Sequence, residues 1–365
     1  MARVNNRLCK GHATSGYQLG TRSAALALIV LACVWCMAWP VLAASETDLE
    51  ACRGSNPDEV LAACTRLIED GTVGAEQHRE AYLRRGQLLY EASEFARAAA
   101  DYSEAIKLGA GGGDVYFLRG LAYGAAADFD HAIADFTEAI RTDPQNALYW
   151  NARGIAHRLQ GDLSGSETDL TVAISHDAKS VDAYYNRGET YLLMKNFDRA
   201  AADFSAALAQ DTKFAAALRG RASVNIARGQ FNAAIEDLTA AIEANSKDAV
   251  AHVMRGLAQA SQSNFKAALT DYSQAVRVAP ADPYLHTLRA WALLKTDDAK
   301  TALKEIDLAV VLNGNLASTY ATRALIEEAL DRKVAALADF RRAKALDSSM
   351  PEAKAGLERL AGAQK

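Results

Sequence analysis

Two histidines, His252 and His286, stand 34 residues apart, a spacing that would suit a metal pair on successive units of a repeating chain. A zinc site needs further ligands at matching depth, and none recurs with them; both instead occupy a column of large packing side chains, so no metal is expected. His131, His157 and His176 lie at unrelated positions and form no ligand spacing. Cys33-Val34-Trp35-Cys36 has the spacing of a redox dithiol, but it lies inside an apolar run, where nothing would activate a thiolate. Gly109 to Gly113 offers the glycines of a phosphate loop without the Lys-Ser/Thr that would complete it. There is no Gly-x-Ser-x-Gly elbow, and no Cys/His or paired-carboxylate set stands out. Catalysis has no candidate residue, so an enzyme is not expected and no cofactor is implied.

A stronger pattern is ionic. Arg85, Arg119, Arg153, Arg187, Arg221, Arg255, Arg289 and Arg323 recur every 34 residues, and sixteen residues after each stands an acid: Asp101, Asp135, Asp169, Asp203, Asp237, Asp271, Glu305 and Asp339. One reading is a ladder of ion pairs within or between neighbouring units that fixes their register. The other is an arginine strip that captures anions. Identical spelling in all eight units suits the ladder, because a binding site is rarely repeated so strictly.

The elements that carry these residues follow from the same 34-residue rows. Beside the Arg column runs Gly86, Gly120, Gly154, Gly188, Ala222, Gly256, Ala290 and Ala324, and three residues before it Tyr82, Tyr116, Trp150, Tyr184, Leu218, His252, His286 and Tyr320. Later come a small column from Ala98 to Ala336, a large column from Tyr102 to Phe340 and an unbroken alanine column from Ala105 to Ala343. Steps of four and three place these on one helical face. Each row is therefore a helix hairpin that cannot bury its own stripes, and stacking supplies the core. Turns are expected at Asp128, Gly161, Asn196 and Gly229, and Pro144 and Pro280 stop helices between rows.

These columns resemble the tetratricopeptide repeat, most fully in the row of Tyr116, Gly120, Tyr123, Ala132, Phe136, Ala139 and Pro144. The resemblance spans about residues 79–348 and implies an all-α, right-handed α-solenoid of about eight hairpins. Before it, residues 44–78 are expected to form capping helices, with Asp58 to Gly71 as a second helix and Cys64 in its aromatic slot. Residues 349–365 should close the other end. Glu46 to Cys52 would be the shortened first helix, and a Cys52–Cys64 disulfide would staple the pair.

The front of the chain looks like an address. Arg3, Arg7, Lys10 and Arg22 precede an apolar run from Ala24 to Trp39, and Val41-Leu42-Ala43 offers a signal-peptidase site, so residues 1–43 are expected to be a cleaved signal peptide. The alternative is an uncleaved membrane anchor, since Ala24 to Ala44 matches the roughly 20 residues needed to span a bilayer. Either way the remainder lies outside the cytoplasm, periplasmic or anchored at the inner membrane. The full chain has 40 basic and 45 acidic residues; losing the four basic residues of the segment leaves 36 against 45, a charge of −9. That excess argues against nucleic acid as a partner.

What varies from row to row is the fifth and ninth position of each first helix, which the resemblance places on a concave groove: Leu83 and Gln87, Phe117 and Leu121, Asn151 and Ile155, Tyr185 and Glu189, Arg219 and Ser223, Val253 and Leu257, Thr287 and Trp291. The family's Lys/Asn clamp for a C-terminal carboxylate is not spelled at Leu83, Gln87, Phe117 and Leu121. Phe117, Tyr185 and Trp291 either receive a partner segment or pack between first helices. The expected function is a non-catalytic adaptor or assembly factor of the cell envelope that binds a peptide or helix of another protein. The alternatives are a self-associating scaffold and an accessory subunit of an envelope enzyme complex.

Overall fold

The computed structural model describes residues 46–362, and the expected signal peptide of residues 1–43, with Cys9, Cys33 and Cys36, lies outside them. The described residues form only helices, joined by short turns. They divide into two compact units that meet in sequence at Ala110 and Gly111.

The first unit holds α1 (46–52), α2 (Pro57–Glu69), α3 (Ala75–Glu91) and α4 (Phe95–Lys107). Asn56 caps α2 through the Asp58 amide, with Pro57 at the first helical position. Cys52, Val60, Ala63, Cys64, Leu67 and Ala81 bury one another between α1, α2 and α3, and the Cys52 and Cys64 sulfurs lie 1.98 Å apart.

The second unit continues with α5 (Gly113–Ala125), α6 (Phe129–Thr142), α7 (Ala147–Gln160), α8 (Leu163–His176), α9 (Val181–Leu193) and α10 (Phe197–Gln210). It goes on through α11 (Ala215–Ala227), α12 (Phe231–Ala244), α13 (Ala249–Ser261), α14 (Phe265–Val278), α15 (Pro283–Lys295), α16 (Ala299–Leu312), α17 (Ala317–Ala329), α18 (Lys333–Leu346) and α19 (Pro351–Gly362). Within this unit the helices pair as α5 with α6 through α17 with α18, and each pair packs less extensively on the helix that follows it, which is the contact pattern of a solenoid.

Turn chemistry sets the hairpins. Within each hairpin one residue turns left-handed, at positions spaced by 34 from Ser93 to Asp331, and only Gly161 and Gly229 of the eight are glycine. An Asx residue often follows and caps the next helix: Asp128, Asp162, Asn196, Asn264 and Asp298 each accept an amide from three residues on. Between hairpins, Asp143, Asp177, Asp211, Asn245, Asn313 and Asp347 accept the amide two residues ahead, closing Asx turns.

The small column works by steric exclusion. A Cβ at Gly86 would lie 2.9 Å from the Tyr102 ring, at Gly120 2.7 Å from Phe136, at Gly188 2.8 Å from Phe204 and at Gly256 2.5 Å from Tyr272. The aromatic of the second helix is therefore seated directly on the backbone of the first. Alanines of the second helix, Ala132, Ala200, Ala268 and Ala336 among them, are fully buried and admit the next hairpin.

Candidate functional site

The arginine column forms two-pronged ion pairs inside each hairpin. Arg187 Nε donates to Asp203 Oδ2 at 2.7 Å and its second prong to Oδ1 at 2.9 Å, and the Arg85, Arg119, Arg153, Arg221, Arg255 and Arg323 rungs repeat the geometry on their own acids. Arg289 reaches Glu305 by one prong at 2.5 Å. The remaining guanidinium nitrogen points back to the preceding hairpin: Arg153 to Thr137, Arg187 to Thr171, Arg221 to Ser205, Arg255 to Thr239 and Arg323 to Asp307. Each of these five rungs therefore ties a hairpin internally and to its predecessor. The paired carboxylates hold the Arg85, Arg119, Arg187, Arg221 and Arg323 guanidinium groups above their ordinary range.

His252 and His286 belong to this framework. His252 Nδ1 meets Asp271 Oδ1 at 3.1 Å and Nε2 meets the Ser246 carbonyl at 3.2 Å; His286 bridges Glu305 and the Pro280 carbonyl in the same way. Trp150 makes the equivalent tie, donating Nε1 to the Pro144 carbonyl at 2.8 Å. Trp150, His252 and His286 of the large column thus anchor the turn six residues upstream. Among the described residues no three His, Cys, Asp or Glu side chains are grouped to hold a metal.

The variable first-helix face divides into a filled part and an open part. In the filled part Phe117 lies 5.2 Å from the Tyr149 ring and 5.8 Å from Phe136, with Leu121 in the same cluster. Tyr185 sits 6.0 Å from Phe204 and edge-on to Phe214 at 5.4 Å. Asn151 accepts from Asn186 at 3.1 Å, Ile155 is half-buried, and Val253 packs against Ala275, Val276 and Leu285. A line of alternating charge runs across α7, α9 and α11: Arg158, Glu189, Arg219 and then Asp248, whose Oδ2 is 3.2 Å from Arg219 Nε. That separation is within ion-pair reach, although its angle leaves the Arg219 Nε outside hydrogen-bond geometry. Burial pushes the Glu189 carboxyl above the usual range, against the pull of Arg158 and Arg219.

The open part lies between α13 and α15. Consecutive first helices of the second unit touch closely except at this pair, where α15 leans instead toward α17 and Thr287 Oγ1 meets Thr319 Oγ1 at 2.9 Å. A cleft of about 410 Å³ fills the gap. Leu257 forms one wall and Trp291 the other, the indole held edge-on to Phe265 at 5.6 Å. Tyr284, Ser318 and Thr322 edge it, and the buried Tyr272 contributes from beneath. No charged side chain lines it.

Two models of the tetratricopeptide repeat match the chain, one over residues 181–214 and the other over 50–113, 117–174, 220–283 and 253–317, together well over half its length. The chain is a tetratricopeptide-repeat protein. Among solved structures it is similar in fold to the Cut9–Hcn1 hetero-tetramer of the APC/C, at 16% identity and a TM-score of 0.55, the match covering 86% of this chain but only 62% of that one. A tetratricopeptide repeat protein from Parabacteroides merdae matches at 20% identity and a TM-score of 0.52 over 68% of this chain and 98% of its own. PilF of Pseudomonas aeruginosa matches at 16% and 0.52, over 61% of this chain and 99% of its own. No curated protein matches the sequence.

As a tetratricopeptide-repeat protein the chain is a protein-interaction module, of a class that is generally non-catalytic. Sequence reasoning missed the hydroxyl column that receives the third arginine nitrogen, although Thr137, Thr171, Ser205 and Thr239 recur at the same 34-residue spacing. It also missed Tyr272 and Thr322 as cleft residues, because both sit at repeat positions with a packing role and the gap between α13 and α15 has no sequence mark.

Proposed function

We propose that the mature repeat protein is an extracytoplasmic, non-catalytic adaptor that grips a peptide or helical segment of an envelope partner along its first-helix face. The apolar, uncharged cleft between α13 and α15 carries this reading, because it is the stretch of that face where side chains border open space rather than one another. Export after cleavage at Ala43 and a Cys52–Cys64 bond belong to the same proposal; the apolar leader and the burial of Cys52 and Cys64 in one cluster support them. The test is to isolate the chain from the envelope fraction of its host without reductant and determine its intact mass and co-purifying proteins. The proposal expects a chain that begins at Ala44, carries no alkylatable thiol and retains a partner that the Leu257→Asp variant loses. A cytoplasmic chain with two reactive thiols would contradict the compartment, and a partner held equally by the variant would contradict the face.

A second reading, self-association, draws on α16, where Leu308, Val311 and Leu312 are exposed, Val311 at 81%. Sedimentation of the parent and of Val311→Glu separates the two: a mass that grows with concentration and falls with the substitution favours the scaffold.

A further inference from the structure

The second helices have an outer face whose charge reverses along the second unit. Lys300, Lys304, Asp307, Leu308 and Val311 step by four, three, one and three along α16, so they share one helical side, and all five are exposed. A shift by the 34-residue repeat carries that side onto the other second helices. On α6, α8, α10 and α12 its charged members are Asp130, Glu138, Asp198, Glu236 and Glu243 against Arg141, which pairs with Glu138 at 2.9 Å. On α14, α16 and α18 they are Lys266, Arg277, Lys300, Lys304, Arg341 and Arg342 against Asp307, which Arg323 holds at 3.1 Å. Among the described residues none of these six cations forms an ion pair, and Arg342 rests 5.8 Å from the centroid of the Tyr320 ring. The neighbouring Asp298 is spent as the cap of α16. Between the cations stand apolar side chains turned to water: Leu308, Val311 at 81% exposed and Val334 at 83%.

We infer that this face of α14, α16 and α18 docks on an anionic lipid bilayer, with the cations on headgroup phosphates and Leu308, Val311 and Val334 entering the interface. Each Lys or Arg close to an anionic leaflet adds to the attraction, and an apolar side chain gains by leaving water for the acyl boundary. A bilayer answers both halves of the face at once. A second copy joined face to face would set the six cations against six more, because such an interface pairs a surface with itself. An acidic polymer would pair with the cations and leave the valines in water. None of the residues lining the α13–α15 cleft belongs to this face, so a docked chain keeps the cleft open to a partner. The inference thus goes beyond the groove reading and does not depend on it.

The experiment is flotation of the full chain as exported with vesicles of equal parts phosphatidylglycerol and phosphatidylcholine, and with phosphatidylcholine alone, followed by titration of the lipid. The chain should float with the anionic vesicles, stay behind with the neutral ones and be released as salt is raised. Lys304→Glu combined with Arg341→Glu should weaken binding more than roughly tenfold. Val311→Ser should weaken it about threefold, and Lys304→Arg should bind as the parent does. These side chains are exposed and unpaired, so every variant should melt with the parent. Any contribution of residues 1–43 is common to parent and variants. Equal binding to both kinds of vesicle, or a double variant that floats like the parent, overturns the proposal. So does a chain that ignores both; if its mass in sedimentation then grows with concentration and falls with the double substitution, a second copy is the occupant. None of these outcomes touches the first-helix reading, whose readout is the partner lost with Leu257→Asp.

Discussion

The stretch from α7 to α11 and the stretch from α13 to α17 obey one repeat grammar and present opposite surfaces. In the first, Tyr185 is clasped by Phe204 and Phe214, and Arg158, Glu189, Arg219 and Asp248 neutralise one another across successive hairpins. In the second, Trp291 faces a gap, and the buried Tyr272 hydroxyl lacks a partner. The columns that fix the fold are the same in both: a small residue under a large one, an arginine on an acid. What differs is the handful of residues that no column constrains. A rigid stack can thus leave part of its face satisfied by its own side chains and keep another part unsatisfied, and the unsatisfied part is where a partner gains most.

The largest expected effect is common to both stretches. Arg187→Ala would leave Asp203, 5% exposed, without its pair and should cost about 3–5 kcal/mol by chemical denaturation, as should Arg323→Ala at Asp339. Equal losses in the two stretches sharpen the comparison, and an unchanged denaturation midpoint would break the ladder account. Next come Gly188→Ala and Gly256→Ala, where the new methyl strikes Phe204 or Tyr272; each should cost about 1–3 kcal/mol, but only Gly256→Ala, by displacing Tyr272, should alter partner affinity. Smaller again are Lys195→Gly and Ser263→Gly, at φ of 58° and 62°, each expected to add about 1 kcal/mol with binding untouched. Smallest is Glu189→Gln. Because burial raises the folded-state carboxyl above its unfolded value, ionised Glu189 weakens the fold at neutral pH, and the benefit of a neutral side chain should be on the order of 0.5 kcal/mol there. That benefit should vanish once acidification passes below the unfolded carboxylate value of about 4.3. A gain that persists in acid would remove the desolvation argument.

The framework was legible because it is written many times over. Arg85 to Arg323, the glycine and alanine columns, and the turns at Asp128, Asn196, Gly161 and Gly229 each follow from local geometry repeated at fixed spacing. The first-helix positions were legible as variable, but their state was not. Phe117 and Tyr185 were read as either groove or packing residues, and both lie against neighbouring rings. The choice is made by residues far along the chain, Tyr149 and Phe214, whose side chains arrive from the next hairpin. The gap beside Trp291 depends on how closely α15 approaches α17 through Thr287 and Thr319, a balance of packing that no single position encodes.

The most direct measurement sets stability and binding side by side for Arg187→Ala and Leu257→Asp, using denaturant midpoint and affinity for the co-purifying partner. The account predicts a double separation. Arg187→Ala lowers the midpoint and, at a temperature where it remains folded, binds like the parent; Leu257→Asp keeps the midpoint and loses the partner. If Arg187→Ala lost binding while still folded, or Leu257→Asp bound as well as the parent, the division between a stabilising ladder and a working cleft would be contradicted.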